Sequence, residues 1–196
     1  MRHQEPYQIS DCASPVVWER ALSTLVIGRS SADDILAREL VTDRGVGLVN
    51  RLICEFRASM IVSVLRLTAR LMMLTLGPDS FRAILEDFWS KMPPQLFASS
   101  EAEAFANYLR ACDLKVPQLA KVLEFERAVV ATLTDGQPRV VAFDSDPLPL
   151  LRALAEGRLA DISSQPGRFE IEVIPDGSMG GTGLDQEVMR QVFPFH

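Results

Sequence analysis

Residues 105–143, FANYLRACDLKVPQLAKVLEFERAVVATLTDGQPRVVAF, constrain the fold more than any other stretch, because helix, turn and strand signals follow one another there without a gap. Pro117 suits the first position of a helix, where its missing N–H costs nothing. Leu119, Val122, Leu123, Val130 and Leu133 then recur at three- and four-residue steps and define one apolar face. Asp135-Gly136 is a turn, and residues 139–143, RVVAF, are apolar and β-branched as a strand should be. Everything upstream reads as helix, whereas short strands, one helix and a tail follow. The segment is thus the joint between a helical half and a mixed half.

Glu126 interrupts the apolar face between Leu123 and Val130. A carboxylate buried there needs a partner or hydrogen-bond donors. It is either a site carboxylate or a structural charge paired with an arginine of a neighbouring helix, such as Arg66 or Arg110; a lone carboxylate is little evidence for chemistry, so the structural reading is preferred.

Upstream, Pro15 opens a helix to about residue 27, with Trp18, Leu22, Leu25 and Val26 as its stripe, and Ser31 caps a second helix ending near residues 43–45. Residues 46–76 predict the longest helix. Its polar residues, Arg51, Glu55, Ser59, Ser63, Arg66 and Arg70, form one narrow stripe, so a central, mostly buried helix is expected. Gly77-Pro78 ends it, and a helix follows from about residue 80 to Lys91 with Phe81, Phe88 and Trp89, then another capped by Ser99 or Ser100 with Phe105, Tyr108 and Leu109 facing inward. Downstream, Asp146-Pro147 opens a leucine-rich helix that Gly157 stops. Residues 168–175, RFEIEVIP, alternate Phe169, Ile171 and Val173 against Glu170 and Glu172, the pattern of a half-buried strand. The expected class is α+β, mostly α: a helical domain over residues 1–133, a small strand–helix–strand domain over 134–175, and a flexible tail over 176–196.

A net charge of −6 leaves no basic field for nucleic acid. The only histidines are His3 and His196, at the chain's ends, so a histidine-based triad, metal site or general base would rely on a terminus. Cys12, Cys54 and Cys112 match no metal or redox spacing and read as reduced thiols. The glycine-rich residues 177–183 lack the strand-to-helix setting of a phosphate loop. The expectations are no catalytic residue, no metal or cofactor in this chain, no membrane span, no targeting segment and a cytoplasmic location.

In order, Phe105-x-x-Tyr108-Leu109, Val116-Pro117-x-Leu119-Ala120-x-Val122-Leu123-Glu124-Phe125-Glu126-Arg127-Ala128, Asp135-Gly136-x-Pro138-Arg139, Phe143, Gly157-Arg158-Leu159 and residues 169–173 resemble the methanobactin biosynthesis partner proteins (MbnC-like). The resemblance covers roughly residues 80–175. The related DUF2063/HvfC-type proteins share the Leu-Glu-x-Glu-x-Ala theme. The resemblance implies an accessory subunit that forms a heterodimer with an iron-dependent (MbnB-like) oxidase and holds the leader of a ribosomally made precursor peptide during copper-chelator biosynthesis. Iron would belong to the oxidase. Strand addition is the inferred mode of leader binding, with Arg139, Val141, Phe143, Phe169, Glu170, Ile171, Glu172 and Val173 as the peptide-binding residues. Two other classes compete. A DNA-binding regulator of the DUF2063 type is opposed by the acidic charge, and a stand-alone enzyme would have Glu126 as its acid and no evident nucleophile. A partner of an oxidase acting on another precursor is the nearer alternative.

Overall fold

The computed structural model describes residues 14–26, 40, 42–159, 166–175 and 179–180. Seven helices stand out among them: α1 (Pro15–Val26), α2 (Arg44–Val64), α3 (Arg66–Leu76), α4 (Pro78–Lys91), α5 (Ala98–Ala111), α6 (Leu119–Asp135) and α7 (Leu148–Ala155). Three strands, β1 (Arg139–Ser145), β2 (Pro166–Val173) and β3 (Met179–Gly180), form one antiparallel sheet in the order β1-β2-β3. The class is α+β, mostly α, as the sequence predicts. The helix expected from Ser31 and the end of the tail lie outside the described residues.

The chain divides into two compact units, residues 1–56 and 57–196. In the first, α1 buries Ala21 and Leu25, while Leu48, Val49, Leu52 and Phe56 of α2 are exposed. The second holds the main core, drawn from α3 to α7, β1 and β2. The strands therefore share one unit with the helices before them instead of forming the separate domain expected at residues 134–175. Of residues 176–196, Met179 and Gly180 are described, and they pair with Val173 and Glu172.

The long helix expected over residues 46–76 is two helices. They meet at Leu65 and are bent by 109°. No proline or glycine explains the break; its cause is a side chain from α6, described below. The first part is also far from buried, as the exposed residues of α2 show. Among the described residues no single helix is long and apolar enough to cross a membrane, and α2 with α3 passes on length and composition only as this bent pair.

Backbone geometry marks the other junctions. Gly77 (φ 85°) and Pro78 turn α3 into α4, and Gly136 (φ 69°) ends α6 with its N–H on the Thr132 carbonyl. Helix α6 starts two residues later than Pro117 implies, with Gln118 in a left-handed conformation (φ 63°) before it. Leu119, Val122, Leu123 and Glu126 are buried as expected, and the buried face extends beyond that stripe. Phe125, Ala128 and Val129 are buried, and Leu133 is half exposed. Phe88 and Phe105 meet edge-on at 5.1 Å, and Phe125 meets Phe143 at 6.3 Å, fixing the sheet against α6.

Arg57 of α2 is a buried charge. Its Nε donates to Glu101 Oε1 at 2.7 Å and its Nη2 to the Met92 carbonyl at 3.0 Å. The Gln95 N–H donates to Glu101 Oε2 at 2.9 Å. Both side chains are buried. The network ties α2 to α5 and fixes the loop after α4, with each carboxylate oxygen satisfied. Glu101→Ala would strand Arg57 and is expected to cost about 3–5 kcal/mol, whereas Arg57→Met with Glu101→Leu should cost far less. Urea unfolding of the single and double variants tests this; a double variant as unstable as the single one would show that the pair itself stabilises the fold.

Candidate functional site

The residues expected to bind a peptide meet on successive rungs of the β1–β2 ladder: Arg139 faces Val173, Val141 faces Ile171, and Phe143 faces Phe169. Val141, Phe143, Ile171 and Val173 are buried and Phe169 is half-buried, so their side chains belong to the core. Glu170 and Glu172 point to the exposed face, where Glu170 pairs with Arg168 at 3.0 Å. Arg139 does not offer a free guanidinium. Its Nη2 and Nη1 bond Asp135 Oδ2 and Oδ1 at 2.5 and 2.9 Å, clamping the turn between α6 and β1. Arg139, with the Gln137 N–H, holds the Asp135 carboxyl well below the ordinary range. What these residues offer a ligand is therefore mainly backbone. Strand β1 is the outer strand, and its far edge has no partner strand among the described residues. Part of the corresponding edge of β2 is taken by β3 at Glu172 and Val173.

Glu126 is buried and held by two backbone donors, and the charge of Arg66 also favours its ionised form. Its Oε1 accepts the Leu67 N–H at 2.6 Å and its Oε2 the Thr68 N–H at 2.8 Å. In an unbroken helix those two N–H groups would bond the carbonyls of Ser63 and Val64. The carboxylate takes them over and so becomes the N-terminal cap of α3, which Leu65 at the N-cap position cannot supply. Burial pushes the Glu126 carboxyl up to about 7, against the lowering effect of the Leu67 and Thr68 donors. The Thr68 hydroxyl helps stabilise the charge, yet it is buried without a well-aligned hydrogen bond. Among the described residues no group of three or more His, Cys, Asp or Glu side chains is placed to hold a metal.

A groove of about 910 Å³ runs between α5 and α6 and reaches the end of α4 and the loop after it. Its charges are already matched. Arg127 Nη2 and Nε bond the two Glu103 oxygens at 2.5 and 3.0 Å. Lys91 bonds Asp87 at 2.6 Å, and the Tyr108 hydroxyl donates to the same carboxylate. Lys91, then Tyr108, hold the Asp87 carboxyl below its usual value. Asp135 also lines the groove, so its clamp on Arg139 joins groove and β1. The groove was not foreseen from the sequence. The spacing Asp135-x-x-x-Arg139 was the one local signal for its polar end.

No family model, curated protein or solved structure matches the chain.

The Glu126 cap has a pH signature. A carboxyl raised in the folded state is protonated there while the unfolded chain has already ionised. Its contribution is therefore fully present below the ordinary value of 4.5 and is lost as pH rises to about 7. Glu126→Gln cannot ionise. Relative to that variant, wild-type stability should fall by about 3 kcal/mol across this window. Urea unfolding at the two ends of the window measures it; parallel pH profiles for the two proteins would mean that Glu126 is ionised throughout.

Proposed function

We propose that the protein is a non-catalytic accessory subunit that forms a heterodimer with an iron-dependent peptide-modifying oxidase and binds the precursor's leader peptide, as in methanobactin-type biosynthesis. The observation that carries the reading is the position of β1: seven residues at the end of the sheet, with the far edge unpaired among the described residues. An extended peptide can satisfy that edge with main-chain hydrogen bonds. Of the two candidate strands, β1 is favoured because β3 already occupies part of β2. The division of labour agrees with the residues. The buried carboxylates Glu101 and Glu126 have structural partners, and iron would be held by the oxidase.

Coexpression with the oxidase should yield a complex that stays together in gel filtration at micromolar concentration. Leader peptides N-methylated at single positions should then lose affinity at alternate residues, by about tenfold where a main-chain donor to the ladder is removed. Fluorescence titration onto the heterodimer is the measurement. Separate elution of the two proteins would rule out the accessory role, and uniform affinity along the N-methylated set would rule out strand addition.

A further inference from the structure

We infer that the groove between α5 and α6 holds the segment of the precursor peptide that adjoins the strand paired with β1, through neutral and apolar contacts. This rests on the leader-binding reading above. Three observations lead to it.

The first is electrostatic. The charged side chains that line the groove, Lys91, Glu103, Arg127 and Asp135, each have an ion-pair partner. A charged small molecule would have to displace one of these pairs, whereas a neutral stretch of peptide displaces none. The lining suits such a stretch, because Ala104, Val130 and Ala131 are small or apolar and carry no charge. A volume of about 910 Å³ lies near the top of the range for small-molecule sites.

The second is the supply of donors. Helix α5 begins without a side-chain cap, and Ser99 and Ser100 line the groove in its first turn. The free N–H groups of that turn, with two hydroxyls, match the carbonyls that an extended peptide presents at every residue.

The third is placement. Asp135 lines the groove and holds Arg139, the first residue of β1. Gln95 and Ser99, also in the lining, bracket Leu96 and Phe97, which are 92% and 69% exposed. The buried Arg57–Glu101 network fixes the backbone of that loop at Met92 and Gln95. A fixed loop that displays two large apolar side chains beside a groove is suited to gripping a chain that leaves the sheet edge.

The experiment uses the heterodimer and two synthetic precursor peptides, one just long enough to pair with the seven residues of β1 and one comprising the full leader. Ala104→Trp and Ala131→Trp fill the groove from half-buried positions, and Leu133→Trp changes the exposed side of α6 as a control. The full leader should bind wild type and Leu133→Trp about tenfold more tightly than the short peptide. That gain should vanish in both groove-filling variants while the short peptide binds all four proteins equally. Leu96→Ser with Phe97→Ser, made at exposed positions, should reduce the gain without lowering the melting temperature. If the filled variants hold the full leader as wild type does, or if the leader gains nothing over the short peptide, the groove is not the peptide's path, although strand addition stands. If neither peptide binds wild type, the leader-binding reading falls and the groove assignment with it.

Discussion

The hydrogen bonds from Leu67 and Thr68 to Glu126 decide the layout of this chain. They replace two steps of a helical ladder with a carboxylate from a helix more than fifty residues away in sequence. Without that substitution, residues 44–76 have no local reason to bend, since Leu65 is neither proline nor glycine and offers no cap. The ladder resumes at once on either side: the Leu65 N–H bonds Ile61 at 2.8 Å, and the Ala69 N–H bonds Leu65 at 2.9 Å. The bend therefore costs few hydrogen bonds. It sends α3 across α6, and the same face of α6 that carries Glu126 then packs Leu67 and Met72 into the core.

The elbow also sets up the sheet. Arg70, one helical turn beyond the captured N–H groups, donates to the carbonyls of Leu154 and Ala155 at 3.0 and 2.5 Å and so caps the C-terminal end of α7. Helix α7 is the connection between β1 and β2, so its attachment to α3 fixes where the hairpin-like pair of strands lies. Phe143 packs on Phe125 from the other side. A single carboxylate, an arginine four residues into the helix it caps, and one aromatic contact thus link helices and sheet into the second compact unit.

Local signals in the sequence predict the elements well where they decide the structure. The alternation of residues 168–173 gives β2 and its inward face, and Asp135-Gly136 gives the turn before β1. The bent helix was not legible, because its cause is a long-range hydrogen bond and the apolar pattern runs on through Leu65. Glu126 could be read as buried from its place on the stripe, but periodicity cannot tell a backbone donor from an arginine. The same limit hid Arg57, which lies outside the polar stripe of residues 46–76 and proves to be matched with Glu101 across the fold. For the candidate site, strand identity was legible, whereas the outer place of β1 and the third strand depend on pairing, which no single-strand pattern encodes. The groove is a property of how α5 and α6 sit together and left no sequence trace beyond the Asp135–Arg139 spacing.

An open sheet edge is a liability, and natural chains blunt it with charge, proline or a covering element. Pro138 stands just before β1, the register shifts between Phe143 and Ser145, and Arg139 turns its charge onto Asp135. Between these ends, Val140, Val141, Ala142 and Phe143 carry no charge and no proline, and Val140 is 59% exposed. The blunting devices sit at the two ends and leave the middle of the strand able to pair. On β2 the comparable edge is partly closed by Met179 and Gly180. One edge partly closed by β3 and one left plain in its middle make β1 the more open side of the sheet among the described residues. The proposed strand addition rests on that asymmetry, and the proposed neutral occupant of the adjoining groove rests on its matched charges.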